Sequence, residues 1–215
     1  MLLTCISMTI IGLFSGSVMY SYFIPKYFKH INIKENSEDG NPGSSNAIAA
    51  SGAPIGIICL ILDVFKAFIP VYISVSILNI SGLYLVPIMI APVLGHAFSP
   101  FLKFKGGKAV ASSYGALLGS FTISGAVLVF VIVMAIFQFI IVINPNSTRV
   151  IAAFAIASIL IIIFGNIFEI KLASFIISVV VCSKHLLNPN KGEFGVFIWR
   201  YGFSIKNKKL QFARR

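Results

Sequence analysis

The chain is poor in charged residues, and above all in acidic ones. Only 11% of its 215 residues are Asp, Glu, Lys or Arg, and six of these are acidic against seventeen basic. About a quarter of the residues of a soluble domain are charged, so this chain cannot cover a soluble surface with charge. Its apolar fraction of 58% also excludes intrinsic disorder, which requires low hydrophobicity. The composition therefore predicts a polytopic membrane protein.

Cysteine and histidine are scarce, with three of each. Cys5, Cys59 and Cys182 lie in or beside apolar runs and form no C-x-x-C pair, which argues against a disulfide framework and a thiolate metal site. The sequence also has no H-E-x-x-H pair and no G-x-S-x-G motif. We therefore expect neither a metal nor another cofactor.

Long apolar runs make up most of the chain, and a membrane-spanning helix needs about 20 mostly apolar residues. We expect an all-α polytopic membrane bundle of about seven transmembrane helices. Gly119 and Gly125, with two serines between them, predict a turn that divides the longest run into two spans. The alternative has five spans, if 109–143 and 149–183 each cross once. The apolar runs are Met1–Pro25, Ala47–Leu78, Leu83–Phe98, Ala109–Ile143, Arg149–Gly165 and Leu172–Ser183.

The basic residues predict the orientation of the bundle, because cytoplasmic loops carry most of the Lys and Arg of a membrane protein. With the N-terminus outside, seven spans place fifteen of the seventeen basic residues on the cytoplasmic side. The exceptions are Lys171, outside, and Lys66, within the second span. We expect 187–215 to form a basic cytoplasmic C-terminal tail. This topology also accounts for the net charge of +11, so the lipid bilayer, and not a nucleic acid, is the expected partner.

A short basic loop, FKGGKAVAS, joins two spans at Phe104–Ser112. Adjacent glycines let a backbone approach an anion closely, and successive N–H groups can form a phosphate-binding nest. Lys105 and Lys108 add positive charge, and the start of the next helix adds its dipole. The local sequence is equally compatible with a tight basic turn at the membrane surface, so both interpretations stay open.

Three further groups are candidates for a site. The turn DGNPGSSNA, Asp39–Ala47, offers amide and hydroxyl groups to an anion, or is simply a loop that caps a helix. Asp63 and Lys66 lie three residues apart within a span, where ionisable groups line a site or form a structural ion pair. His96 and His185 lie at cytoplasmic ends of spans and are either catalytic or structural.

In combination, these segments resemble the bacterial acyl-phosphate:glycerol-3-phosphate acyltransferases, a family of small integral membrane enzymes. GHAFSPFLKFKGGKAVASSYGALLG, Gly95–Gly119, is similar to the family segment GH-x-F-P-x-F-x-x-F-K-G-G-K-G-V-A-T almost residue for residue. ILDVFKAFIP, Ile61–Pro70, is similar to the family's D-x-x-K-G helix, and GNPGSSNAIAASG, Gly40–Gly52, to its first loop. Residues 1–186 would then form an integral membrane acyltransferase-like domain.

The resemblance implies a function in phospholipid synthesis at the bacterial cell membrane. The family transfers a fatty acyl group from acyl phosphate to the 1-hydroxyl of glycerol 3-phosphate and forms lysophosphatidic acid. Its fold is a seven-helix membrane bundle. By resemblance, the catalytic candidates are His185, Asn188 and Lys108. The substrate-binding candidates are Gly106, Gly107, Lys105, Asn41, Gly43, Ser45, Asn46, His96, Lys66 and Asp63.

Two positions depart from the family pattern. Asp39 stands where the family has a functional Ser, and Ala49 stands where it has an Arg. An acidic group beside two phosphates repels them, and the loss of an Arg removes a bidentate contact. The alternative is therefore a non-enzymatic or substrate-altered member that binds a phosphorylated lipid or partner. The residues that could supply the missing groups are Ser37, Ser44, Ser45 and Arg200.

Overall fold

The computed structural model describes residues 1–199, 201–206 and 209–214. Helices make up most of this part of the chain, with one short strand before α8 and three after α9. The α-helices are α1 (Leu2–Ser17), α2 (Tyr20–Lys29), α3 (Ser44–Ser51), α4 (Ala53–Tyr72), α5 (Leu85–Ala97), α6 (Val110–Gly119), α7 (Ala126–Ala135), α8 (Asn146–Phe164) and α9 (Phe168–Leu187). The strands are β1 (Ile141–Asn144), β2 (Gly195–Ile198), β3 (Tyr201–Lys206) and β4 (Lys209–Arg214). Single π-helical turns extend α4 over Ile73–Ile77 and α7 over Ile136–Ile140.

Five helical segments of the described chain are long and apolar enough to cross a membrane. They are Leu2–Lys29, Ala53–Ile77, Gly82–Leu102, Asn146–Phe164 and Phe168–Leu187. Ala126–Ile140 is apolar but shorter. The prediction of a helical, polytopic membrane protein is thereby confirmed. The predicted turn between Gly119 and Gly125 is also confirmed, because residues 120–125 separate α6 from α7.

The first membrane segment is broken at Val18 and Met19, where α1 ends and α2 has not yet begun. Backbone polar groups inside a membrane need partners within the protein, and side chains from other helices supply them here. Lys66 of α4 donates a hydrogen bond to the Val18 carbonyl, and Ser99 donates one to the Ser17 carbonyl at 2.6 Å. The break is therefore held by two polar side chains from later in the chain.

The helices α1 and α5 approach each other closely through glycines. A Cβ atom on Gly16 would lie 2.1 Å from the Pro92 carbonyl oxygen, and one on Gly95 would lie 2.2 Å from the Leu13 carbonyl oxygen. Small residues permit such close contact between helices in membranes, where packing replaces the hydrophobic driving force. This contact fixes the C-terminal half of α5, which carries His96.

Asp63 and Lys66 form a buried ion pair on α4, with 2.7 Å between Lys66 Nζ and Asp63 Oδ1. Their side chains are only 1% and 2% exposed. Ser21 donates a second hydrogen bond to Asp63. Because each charge is paired and hydrogen-bonded, the cost of burying it is offset. Lys66 therefore has a structural role, since it joins α4 to the break after α1.

The four strands form an antiparallel sheet in the order β1, β2, β3, β4. Ile141 of β1 is opposite Ile198 of β2, and Tyr201 of β3 is opposite Arg214 of β4. The prediction of an all-α fold is therefore wrong for this part of the chain. In the sequence, β1 coincides with the end of an apolar run, and the composition of 187–215 indicates only a basic segment. The alternation of buried and exposed side chains in β2, with Phe197 buried, is the local signal of a strand.

Candidate active site

A cavity of about 700 Å³ lies between helices α4, α6, α7, α8 and α9 and the loop that joins α2 to α3. This loop, residues 30–43, is the first loop of the chain. One part of the cavity lining is polar, and the other is apolar. The polar residues that bond to one another or face this space include Asp39, Asn41, Asn46, Lys108, His185 and Asn190. The apolar wall includes Leu60, Val64, Val131, Met134, Phe139 and Val150. The cavity can therefore hold an amphiphile with a polar head and a hydrocarbon chain.

Lys108 is the second lysine of the basic loop at Phe104–Ser112, the glycine loop, and lies at the centre of the polar part of the cavity. Its Nζ atom is 2.8 Å from Asp39 Oδ2 and 3.2 Å from Asn190 Oδ1. The Asn190 amide also donates to Asp39 Oδ2 at 3.0 Å. These three side chains come from the first loop, the glycine loop and the segment after α9. The hydrogen-bonded triangle thus joins three distant parts of the sequence.

Asp39 accepts two further hydrogen bonds from its own loop. The Asn46 side chain lies 2.8 Å from Asp39 Oδ1, and the Asn41 backbone N–H donates to the same oxygen at 3.1 Å. Burial alone would raise the pKa of the Asp39 carboxyl group, but the hydrogen bonds from Lys108, Asn46 and Asn41 outweigh it. The pKa therefore lies below its ordinary value, and Asp39 is a carboxylate at neutral pH.

His185, in the last turn of α9, is one of the residues that line the cavity. The residue is 3% exposed, and its Nε2 atom is buried without a hydrogen-bond partner. Its Nδ1 atom lies 3.4 Å from Ser147 Oγ. A buried polar atom without a partner is unusual in a folded protein. His185 also lines the cavity, and Nε2 is its one ring nitrogen without a partner among the described residues.

The network around Ser147 fixes which nitrogen of His185 carries a proton. Asn190 turns its amide nitrogen to Asp39, an acceptor, so its oxygen faces Lys108 and Ser147. The single hydroxyl proton of Ser147 is then donated to Asn190 Oδ1 at 2.9 Å. His185 Nδ1 must therefore be the donor toward Ser147. In the neutral imidazole, this leaves Nε2 unprotonated, as an acceptor.

His96 also lines the cavity, from the last turn of α5. Its Nδ1 atom is 2.9 Å from Ser112 Oγ, and the Ser112 hydroxyl also lies 3.3 Å from the Asp63 carbonyl oxygen. Asp63 is a further cavity residue, although its carboxylate is already engaged by Lys66 and Ser21. These contacts fix the wall between α4, α5 and α6.

The two glycines of the basic loop pack against α5. A Cβ atom on Gly106 would lie 2.0 Å from the His96 carbonyl oxygen, and one on Gly107 would lie 2.3 Å from His96 Nε2. The Gly107 N–H donates to the His96 carbonyl at 3.0 Å, so it is not free to bind a phosphate. Neither glycine lines the cavity. The packing therefore favours a tight turn, which presents Lys108 to the polar part of the cavity.

If the chain has the acyltransferase activity that the resemblance implies, a Gly107→Val substitution is expected to impair the use of both substrates, because its side chain would displace the His96 ring. Overpacking of this kind typically costs about 1–3 kcal/mol. The measurement is thermal unfolding in detergent together with the KM of each substrate. Gly125→Ala is the matched control, since a Cβ there has no neighbour closer than 4.0 Å. A stable Gly107→Val protein that loses only glycerol 3-phosphate binding would instead support a phosphate nest.

The structure brings most of the predicted site residues together. Those that line the cavity are Asn41, Gly43, Ser45, Asn46, Asp63, His96, Lys108 and His185. Gly106 and Gly107 lie behind the wall, Lys66 is paired with Asp63, and Lys105 is exposed. Asn188 caps the C-terminal end of α9, where it is exposed and outside the cavity lining.

Sequence reasoning missed two residues of the site, Asn190 and Ser147. Asn190 follows Asn188 in the sequence NPN, and nothing in the spacing distinguishes the two asparagines. Ser147 lies near the start of α8, where it is indistinguishable from a simple helix-capping residue. Of the groups considered as substitutes, Ser44 and Ser45 line the cavity, the Ser37 hydroxyl is buried, and Arg200 lies outside the described residues.

Residues 6–192 match the glycerol-3-phosphate acyltransferase family. A glycerol-3-phosphate acyltransferase of Thermosipho melanesiensis is 31% identical over 207 residues, which cover 92% of this chain and 96% of that protein. The chain belongs to the glycerol-3-phosphate acyltransferase family. The predicted family is therefore confirmed, and with it the interpretation of the chain as a membrane protein.

Other members of the glycerol-3-phosphate acyltransferase family match over a shorter stretch. Glycerol-3-phosphate acyltransferase 2 of Thermotoga maritima is 45% identical over 108 residues. That alignment covers 50% of this chain and 54% of the relative, so the chain spans about half the length of the curated relative. The match to the family as a whole covers residues 6–192, so strands β2, β3 and β4 lie beyond it.

Two solved structures of the family are similar over most of this chain. The crystal structure of PlsY (YgiH), an integral membrane glycerol 3-phosphate acyltransferase, in its glycerol 3-phosphate form has a TM-score of 0.74 at 26% identity. The match covers 86% of this chain and 89% of the PlsY chain. The lysophosphatidic acid form of PlsY has a TM-score of 0.72 over the same shares.

Proposed function

We propose that the protein transfers a fatty acyl group from acyl phosphate to the 1-hydroxyl of glycerol 3-phosphate and forms lysophosphatidic acid. The observation that carries this proposal is a cavity whose lining combines Lys108 and His185 with an apolar wall. The polar part suits the phosphate and hydroxyl groups of the acceptor. The apolar wall suits a fatty acyl chain. Family membership and the glycerol 3-phosphate form of PlsY support the same assignment.

The reaction asks little covalent chemistry of the protein, because an acyl phosphate is already activated. His185 Nε2 takes the proton of the acceptor hydroxyl as the hydroxyl oxygen attacks the acyl carbonyl carbon. The bond between that carbon and the phosphate oxygen then breaks, and inorganic phosphate leaves with the electron pair. Lys108 holds the phosphate group of glycerol 3-phosphate through a charge-assisted contact. Positioning and electrostatic stabilisation thus provide most of the catalysis.

The test is an assay of the purified protein with palmitoyl phosphate and glycerol 3-phosphate, with lysophosphatidic acid as the measured product. Palmitoyl-CoA in place of palmitoyl phosphate is the control donor. Product from palmitoyl phosphate alone supports the proposal. Absence of product from well-folded protein with either donor overturns it and favours a non-enzymatic member that binds a phosphorylated lipid. The pairing of Asp39 with Lys108 is the observation that favours this second candidate.

We also propose a bacterial plasma-membrane topology of seven spans, in which α6 and α7 are the two short ones. The N-terminus is outside, residues 1–186 form the membrane acyltransferase domain, and 187–215 form a cytoplasmic C-terminal segment. The excess of basic residues in the proposed cytoplasmic loops supports this orientation. The cavity then opens toward the side on which soluble glycerol 3-phosphate is available.

Reporter fusions test the topology. A reporter fused after Arg215 is expected to be cytoplasmic, because it follows the most basic part of the chain. A reporter inserted near Ser81, between the second and third apolar segments, is expected to be external. Alkaline phosphatase and a fluorescent protein at each position give opposite readouts and control each other. An external signal at the C-terminus would contradict both the seven spans and the cytoplasmic site.

A further inference from the structure

A buried carboxylate already occupies the anion-binding groups of the cavity. Asp39 Oδ1 accepts hydrogen bonds from the Asn41 N–H at 3.1 Å and the Asn46 amide at 2.8 Å. Asp39 Oδ2 accepts from Lys108 at 2.8 Å and from Asn190 at 3.0 Å. Four donors therefore converge on one carboxylate, which is about its full capacity. A phosphate bound in the polar part of the cavity would need these same donors.

The charges around the cavity make Asp39 and a phosphate direct competitors. Lys108 is the one Lys or Arg among the described residues that line the cavity, and its charge is balanced by Asp39. The side chains of Lys108 and Asp39 are 6% and 5% exposed, so water screens the pair poorly. A phosphate monoester carries a charge of about −1.5 to −2 at pH 7. Its burial against an already neutral pair would leave that charge uncompensated.

We propose that Asp39 is a specificity-determining residue that competes with the substrate phosphate for Lys108. The identity of the substrate in this inference rests on the proposed function. A phosphate binds only after the Asp39 carboxylate has left Lys108, so apparent affinity is reduced by the population of that open state. A dianionic phosphate gains more free energy from its contact with Lys108 than the Asp39 carboxylate loses when it leaves. A singly charged anion gains no more free energy from Lys108 than Asp39 does. It therefore does not displace the carboxylate and is rejected.

An Asp39→Asn variant tests the competition, because it keeps the shape of the side chain and removes its charge. Binding of glycerol 3-phosphate is measured by calorimetry on the full-length protein in detergent, without an acyl donor. A hydrogen bond to a charged group contributes enough that its loss from the competitor is expected to tighten binding about tenfold to a hundredfold. Glycerate, a singly charged analogue, is expected to bind measurably to the variant and not to the wild type.

Glu38→Gln is the matched control, since it removes the same charge from the neighbouring, exposed residue. Its effect is expected to stay below about twofold and to disappear at high salt, where exposed charges are screened. The effect of Asp39→Asn should persist at high salt. A double variant of Asp39→Asn with Lys108→Met should show no gain over Lys108→Met alone. A gain of the same size in both backgrounds would overturn the proposal, as would unchanged binding by the folded Asp39→Asn protein.

Asp39→Ser is the second variant, for use if Asp39→Asn does not fold, and the same gain is expected from it. Failure of the inference and failure of the proposed function are distinguishable, because binding is measured without turnover. Tighter glycerol 3-phosphate binding without lysophosphatidic acid formation supports the competition and contradicts the proposed activity. Acyl transfer by the wild type with unchanged binding by the variants supports the activity and overturns the competition.

Discussion

A His185→Gln variant is expected to lose about 10²–10⁴-fold in kcat, the usual contribution of a general base. The reason is that Nε2 of His185 is an unprotonated acceptor without a partner among the described residues, on a side chain that lines the cavity. Gln is close to His in size but cannot accept a proton at neutral pH. The KM for glycerol 3-phosphate is expected to change little, because Lys108 and not His185 carries the phosphate contact. The measurement is a steady-state assay with palmitoyl phosphate as the donor.

His30→Gln is the control for this experiment. His30 is exposed at the C-terminal end of α2 and lies outside the cavity lining, so the same chemical change there should leave kcat within about twofold of the wild type. Ser147→Ala should give an intermediate loss, since it removes the group that orients the His185 ring. If His185→Gln keeps nearly full activity, a substrate phosphate must take the hydroxyl proton instead.

Much of the site could be predicted from the order of segments along the chain. The apolar runs determine which loops share one side of the membrane, and those loops bring Asn46, Lys108 and His185 to one cavity. The motif around Lys108 was informative because it combines glycines at close helix contacts with a basic residue at the start of a helix.

Other features depend on contacts that a single sequence does not encode. Asn188 and Asn190 flank Pro189, and only the backbone path after α9 decides which of the two asparagines reaches Lys108. The pairing of β1 with β2 joins residues more than 50 positions apart, from Ile141 to Ile198, so a local pattern in the sequence does not indicate it. The resemblance implies that Gly106 and Gly107 bind a substrate. In the structure, the nearest neighbour of both glycines is His96 of the preceding helix.

Asp39 shows the same limitation in its electrostatics. From the sequence, its charge predicts repulsion of two phosphates beside the basic loop. In the folded chain the carboxylate instead holds Lys108, Asn46 and Asn190 in place. It therefore stabilises the empty site and opposes the filled one. Only the distances between side chains distant in sequence reveal both effects together.

A Lys108→Met variant is expected to lose both activity and stability, for two separable reasons. Removal of the ammonium group deletes the contact with the substrate phosphate, which should raise the KM for glycerol 3-phosphate about tenfold to a hundredfold. It also leaves Asp39 buried without a counter-ion, which typically costs about 3–5 kcal/mol of folding free energy. The measurements are steady-state kinetics and thermal unfolding in the same detergent.

Combining Lys108→Met with Asp39→Asn separates the two losses. The neutral amide needs no counter-ion, so most of the lost stability should return, because the penalty of an unpaired buried charge disappears. Activity should not return, since no cation remains in the described lining of the cavity to hold the phosphate. If the double variant recovers glycerol 3-phosphate binding, then Lys108 serves only to neutralise Asp39, and the phosphate contact lies elsewhere. If stability stays low, the Lys108 side chain stabilises the site through packing and not through its charge.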